Sequence, residues 1–313
     1  MTRTIHIGTR GSQLALWQAN WVKHQLEGLH RNLSVELQII KTTGDKILDT
    51  PLAKVGGKGL FVKEIEDALL DHRVDLAVHS MKDMPVQVPQ GLFIGAVPQR
   101  EDPRDVYISK GGKTLSGLPI GARIGTSSLR RAAQIRSIRD DLVVVPLRGN
   151  VQTRLRKLDE GEVDATILAA AGIKRMALWD RVTEVFDPEK MLPAVGQGAL
   201  CVEIRAGDPA ILDLIAPLDH PETRTVVTAE RAFLRRLEGG CQVPIAAHGS
   251  LLNGTIRLSG LVASLDGKKC HREMDSAPVT EAEHLGDRLA QTLLSHGAGH
   301  ILEELKANAQ DNL

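Results

Sequence analysis

Short apolar runs alternate with amphipathic stretches through the first eighty residues of the chain. "TIHIGT", "SVELQIIKT" and "VDLAVHS" read as strands, while "SQLALWQANWVKHQLEGL" and "FVKEIEDALLDHR" have helical spacing. The order is βαβαβ, which builds a largely parallel sheet covered by helices. In the first helix Leu14, Trp17 and Trp21 fall on one face, and Ser12 is placed to cap the N-terminus.

The same plan starts again near Ile120 with "ARIGTSS", "LRRAAQIRSI", "LVVVPLRG", "VQTRLRKLDEGE" and "VDATILAAAGI". "IGTRGSQLALWQA" matches "IGTSSLRRAAQI", and "LLDHRVDLAVHSMKDM" matches "LDEGEVDATILAAAGIKRM", a weak internal repeat. Two similar α/β lobes are therefore expected to face each other across a cleft ringed by strand ends and helix N-termini, a setting that favours anions. "PQREDPRDV" and "LPAVGQGAL" read as crossing segments, after which "ALCVEIRAG" returns a strand to the first lobe. The expected parts are residues 1–98 with 199–216, residues 104–192, and a C-terminal αβββα domain over 221–313. In that last part the hairpins are marked by Asn253-Gly254 and Asp266-Gly267.

Composition narrows the function classes. The 313 residues carry 39 basic and 39 acidic side chains, so no global attraction to DNA or to an anionic membrane is expected. Aromatics at 3% leave few stacking platforms for bases. The opening "MTRTIHIGTR" reads as a strand rather than a signal peptide, and no run of about 18 apolar residues follows. A cytoplasmic location is the expectation, and a monomer, because a filled cleft needs no partner subunit. Cys201, Cys241 and Cys270 lack paired metal-site spacing and suit reduced thiols.

Local charge is less even. From Gly121 to Met176 there are eleven basic residues against six acidic ones. Arg130 and Arg131 open a helix behind "GTSS", Arg148 follows the apolar run "LVVVPL", and Arg154 lies in the first turns of the next helix. Cations at a helix N-terminus oppose the macrodipole, so the adjacent pair calls for an anion. Several guanidinium forks imply a substrate with several carboxylates. In "HSMKDMP" Ser80, Lys82 and Asp83 cluster at a strand's carboxyl end, where Asp83 is suited to proton transfer or to stabilising a cation. "DTPLAKVGGKGLF" reads equally as a cationic lid or as a surface loop. Cys241 in "EGGC" sits on a backbone free to reach across a gap. No histidine is paired with it, which favours a standing covalent attachment over turnover at sulfur.

Together "KVGGKGLFVKE", "DLAVHSMKDMP", "IGTSSLRR", "LRGNVQTRL", "LPAVGQGAL" and "RLEGGCQVPI" resemble the porphobilinogen deaminase (hydroxymethylbilane synthase) family, from Ile7 to about Ile245. The fold this implies is two doubly wound α/β lobes of periplasmic-binding-protein type around a cleft, plus a small α+β domain with a three-stranded antiparallel sheet. The activity it implies is a transferase of haem biosynthesis that joins four porphobilinogen molecules head to tail with loss of ammonia. Hydroxymethylbilane is then released by hydrolysis. A dipyrromethane cofactor is implied on Cys241 through a thioether. Ser80, Lys82, Thr126, Ser128, Arg130, Arg131, Arg148 and Arg154 are implied as cofactor contacts. Arg10, Arg148, Arg154 and Arg175 are implied to bind substrate side chains, Asp83 to be catalytic, and Lys58 and Phe61 to belong to the lid. The alternatives are a cysteine-dependent transferase on another polycarboxylate and a bilobal anion-binding module. Neither a metal nor nucleic acid nor a membrane is expected as a partner.

Overall fold

Alternating apolar residues place Ile5 and Ile7 of β1 (Arg3–Thr9) inside the first unit, beneath the helix Gln13–Leu29. The computed structural model describes residues 3–46, 59–238 and 243–310. The chain divides into two compact units, Met1–Glu101 with Gly198–Arg224, and Asp102–Gln197 with Thr225–Leu313.

In the first unit β1 is joined by β2 (Leu33–Ile39), β3 (Leu76–Ser80), β4 (Leu92–Ala96) and the late strand β10 (Leu200–Arg205), in the order β2-β1-β3-β10-β4. Pairing is parallel among β2, β1 and β3, whereas β10 runs antiparallel to both of its neighbours. "ALCVEIRAG" thus does return a strand to this sheet. Ser12 caps the first helix by accepting from Ala15 N at 3.3 Å. The buried stripe of that helix is Gln18, Ala19, Val22 and Leu26 rather than the face of Leu14, Trp17 and Trp21, and Trp17 is 38% exposed. Ala19 and Val22 let the helix lie close on the sheet, while Trp21 packs against the core half-buried and Trp17 is left outside it. The next long helix is shorter than expected, Lys63–Leu70, with Phe61 ahead of its first turn.

The second unit repeats the plan. Its strands β5 (Asp105–Ser109), β6 (Arg123–Gly125), β7 (Val143–Val145), β8 (Ala165–Ala169) and β9 (Glu184–Val185) are ordered β7-β6-β8-β5-β9. Again one strand, β5, is antiparallel to both neighbours. The internal repeat is therefore a repeat of topology: β6, β7, β8, β5 and β9 stand where β1, β2, β3, β10 and β4 stand in the first sheet.

The same unit carries the antiparallel sheet β11 (Ile245–Leu252), β12 (Thr255–Ala263) and β13 (Cys270–Pro278). Asn253-Gly254 and Asp266-Gly267 lie at its two turns, and Asn253, Gly254 and Gly267 have positive φ, as the dipeptides predict. One face packs on the helices Pro221–Arg236 and Ala282–Leu293 through Phe233, Leu258, Leu285 and Leu289. The closing helix is interrupted at Gly297, with φ of 104°, before Gly299–Gln310. Among the described residues no helix is long and apolar enough to cross a membrane.

Candidate active site

Polar side chains gather at the carboxyl ends of the inner strands in each unit, as the switch-point rule for open α/β sheets requires. In the first unit β3 ends at Ser80 and turns through a single 3-10 turn, Met81–Asp83. Buried Gln18 donates from Nε2 to Ser80 Oγ at 2.9 Å, which fixes the hydroxyl. Lys82 is half-buried and Asp83 is exposed on this turn. Behind them, buried His79 meets fully buried Glu203 of β10 at 3.0 Å. Arg10 follows β1 and pairs with Asp45, and its guanidinium carbon lies 4.3 Å from the centroid of the Phe61 ring.

In the second unit the "GTSS" turn after β6 is self-bonded. Thr126 Oγ1 accepts from Ser128 N at 3.1 Å, and Ser128 caps the helix Leu129–Ile138 by accepting from Arg131 N at 3.4 Å. The two arginines at the start of this helix are each 5% exposed and converge on fully buried Asp105, the first residue of β5. Arg130 donates to Asp105 Oδ2 at 2.6 Å and Arg131 to Oδ1 at 2.7 Å, while Gln197 Nε2 donates to the same Oδ1 at 3.0 Å. Arg130 and Arg131 also donate to the carbonyls of Leu192 and Ile167. Burial pushes the Asp105 carboxyl up, but the two guanidinium charges and their hydrogen bonds outweigh it and hold the group well below the usual carboxylate range. The anion that the helix-opening pair demands is supplied by the protein itself. Two cations on one carboxylate still leave a net positive charge.

The turn after β7 presents the next pair. Gly149 has φ of 111°, a conformation that favours glycine, and Asn150 caps the helix Val151–Asp159 by accepting from Thr153 N at 2.9 Å. Half-buried Arg148 precedes this turn, and half-buried Arg154 folds back on it, donating from Nε to Gly149 O at 2.8 Å. Half-buried Arg175 ends the helix Ala170–Arg175, which starts directly after β8. Its neighbour Lys174 pairs with Asp102 at 3.3 Å, and Asp102 is also bound by Arg104 at 2.7 Å. Burial raises the Asp102 carboxyl, but the Arg104 hydrogen bonds and charge prevail, with help from Lys174, and hold it at about 2.

Thus Ser80, Lys82 and Asp83 share one turn, and Thr126, Ser128, Arg130, Arg131, Arg148, Arg154 and Arg175 share the strand ends of the second sheet. Cys241 and Lys58 lie outside the described residues. Asp45, Gln18, Asp105 and Gln197 join the site only through the fold. An aspartate opening the apolar run "DVYIS" was the available signal for Asp105.

Family models for the porphobilinogen deaminase dipyromethane cofactor binding domain and for its C-terminal domain match residues 5–213 and 224–295. The chain belongs to the porphobilinogen deaminase family. A porphobilinogen deaminase of Syntrophobacter fumaroxidans is 57% identical over 303 residues, covering 97% of this chain and 98% of that protein. Another from Desulforudis audaxviator is 55% identical over 309 residues, covering 99% of this chain and 100% of the relative. Among solved structures, an extracellular-binding protein of an amino-acid ABC transporter from Bacillus subtilis superposes with a TM-score of 0.42 at 13% identity, covering 70% of this chain and 90% of that one.

Proposed function

We propose that this chain is a transferase that condenses four porphobilinogen molecules head to tail, with loss of ammonia, on a dipyrromethane held by Cys241, and then releases hydroxymethylbilane by hydrolysis. The observation that carries the reading is the match over nearly the whole chain to enzymes of that name. The donor chemistry at the strand ends fits the same substrate. Each porphobilinogen unit brings an acetate and a propionate. Half-buried Arg148, Arg154 and Arg175, with the cationic Arg130/Arg131/Asp105 cluster, are the groups a polycarboxylate needs.

Dipyrromethane, when bound, supplies the nucleophilic end pyrrole to which units are added. The chain's residues do the rest. Ser80, held by Gln18, with Lys82, Thr126, Ser128, Arg130 and Arg131, contacts the cofactor, while Arg10, Arg148, Arg154 and Arg175 hold substrate carboxylates. Asp83 presents a carboxylate from the exposed turn after β3, suited to hydrogen-bond a pyrrole N–H and to stabilise the positive charge that develops as ammonia leaves. Lys58 and Phe61 belong to the lid loop, in a cytoplasmic monomer whose residues 221–313 form a domain of their own.

Mass measurement of the intact denatured protein tests the reading. An excess equal to two linked pyrrole units is expected on the parent and none on Cys241→Ser. A parent at its sequence mass that gains neither mass nor activity on incubation with porphobilinogen would overturn it. Such a result would favour a transferase acting on another polycarboxylate, or an anion-binding module.

A further inference from the structure

Arg10 is held on two sides. Its Nε donates to Asp45 Oδ1 at 3.1 Å and to Oδ2 at 3.3 Å, and its Nη2 also donates to Oδ1. Phe61 covers one face of the guanidinium, with 4.3 Å from Cζ to the ring centroid, a favourable cation–π distance. Asp45 is anchored in turn by fully buried Thr42, whose Oγ1 donates to Asp45 Oδ2 at 2.8 Å and whose N–H donates to the same oxygen at 3.3 Å. Phe61 is anchored by close approach to Gly44, where a Cβ would overlap the ring, and Gly44 N donates to Leu60 O at 2.8 Å. Burial raises the Asp45 carboxyl, but the Arg10 hydrogen bond and charge and the Thr42 hydrogen bonds lower it further, so the pair is ionic.

A guanidinium offers two bidentate edges, one through Nε and Nη2 and one through Nη1 and Nη2. Asp45 occupies the first, and among the described residues Nη1 makes no hydrogen bond. We propose that Thr42, Asp45 and Phe61 are positioning residues that clamp Arg10 by one edge and one face, so that its second edge is presented ready-made to a substrate carboxylate. The proposal rests on the reading of Arg10 as a substrate-binding residue. What the clamp contributes is orientation rather than charge, since Asp45 cancels the cation it aims. An arginine on an unclamped stem loses rotamer freedom each time it binds, and a clamped one has lost it beforehand.

Orientation and charge predict opposite signs for Asp45→Asn. That variant makes the site more cationic, so a site governed by net charge binds porphobilinogen more tightly, whereas a clamp that is broken binds it more weakly. We expect Asp45→Asn and Thr42→Val each to raise KM for porphobilinogen roughly three- to thirtyfold, with kcat changed much less. Asp45→Glu is expected to restore part of the loss. Arg10→Met is the control for the underlying reading, and Arg10→Met with Asp45→Asn should be no worse than Arg10→Met alone, because Asp45 acts through Arg10. If Arg10→Met leaves KM unchanged, the reading of Arg10 fails and the clamp with it. If Arg10→Met raises KM while Asp45→Asn and Thr42→Val leave it unchanged or lower it, the clamp alone is overturned. Should Asp45→Asn not fold, Thr42→Val, which keeps the side-chain shape, and Phe61→Leu decide the matter by the same comparison.

Discussion

Arg131 donates to a single oxygen of Asp105 from two nitrogens, Nη2 at 2.7 Å and Nε at 3.0 Å. Arg130 takes the other oxygen at 2.6 Å, so a carboxylate with no solvent contact is encased in guanidinium. Breaking such a pair from one side leaves a buried charge without its counterpart, which typically costs about 3–5 kcal/mol. Asp105→Asn is therefore expected to lose stability of that order in urea denaturation at neutral pH. Because the folded carboxyl titrates well below its ordinary value of 3.8, its contribution is complete above that pH and is lost as the pH falls below it. The gap between parent and variant should narrow on acidification below about pH 4. A gap independent of pH would mean that Asp105 is not the titrating partner.

Glu66 behaves in the opposite sense. It is 6% exposed on the helix Lys63–Leu70, and burial, helped by the Glu203 carboxylate and only partly offset by His79, pushes it up to about 7. Unfolded, it ionises near 4.5, so between 4.5 and about 7 the folded protein binds more protons, and this residue's contribution to stability falls as pH rises. Glu66→Gln removes that loss. The variant should gain on the parent by roughly 1–3 kcal/mol between pH 5 and pH 8, read from urea midpoints at each pH. A difference that does not change with pH would refute the assignment.

Asp83 is exposed on the turn after β3 and has no part in the core, so its removal should be read in turnover and not in folding. Asp83→Asn keeps the shape and loses the charge. Losing one preorganised electrostatic group commonly costs about 10²–10³ in rate. We expect kcat for porphobilinogen consumption to drop on that order while the thermal midpoint and the mass excess of the intact protein stay as in the parent. A kcat within a few-fold of the parent would remove Asp83 from the chemistry.

How far these sites can be read without coordinates depends on the range of the interaction. The strands "TIHIGT" and "VDLAVHS", the Ser12 cap and the Asn253-Gly254 turn are set by residues within one or two turns of each other, and periodicity finds them. The antiparallel strand in each sheet comes from the far side of a crossing. β10 is legible because "ALCVEIRAG" follows a crossing segment, whereas its counterpart β5 begins within "PQREDPRDV" itself. Arg130 and Arg131 at a helix N-terminus call for an anion, but their partner lies 25 and 26 residues upstream, and only the folded sheet brings it to them. Arg10 and Asp45 are 35 residues apart, and the same limit hid the pairing. In the first helix the largest apolar residues were the wrong guide, because close packing on a sheet selects Ala19 and Val22 over Trp17.

Gly149 joins backbone strain to the carboxylate binding proposed for Arg148 and Arg154. Its φ of 111° disfavours any side chain, and a Cβ there would lie 2.6 Å from Thr153 Cβ, inside the first turn of the helix that Asn150 caps. Gly149→Ala must therefore shift the turn, at a cost of about 1–3 kcal/mol for strain and overpacking. The shift also moves the carbonyl that holds Arg154 Nε at 2.8 Å and the backbone carrying Arg148. The variant is accordingly expected to show both a lower urea midpoint and a KM for porphobilinogen raised roughly tenfold. Arg154→Leu, which leaves the turn in place, should raise KM by a similar or larger factor with little change in midpoint. If Gly149→Ala loses stability but keeps the parent's KM, the turn supports the fold without aiming the arginines. In that case Arg148 and Arg154 are positioned by their other contacts.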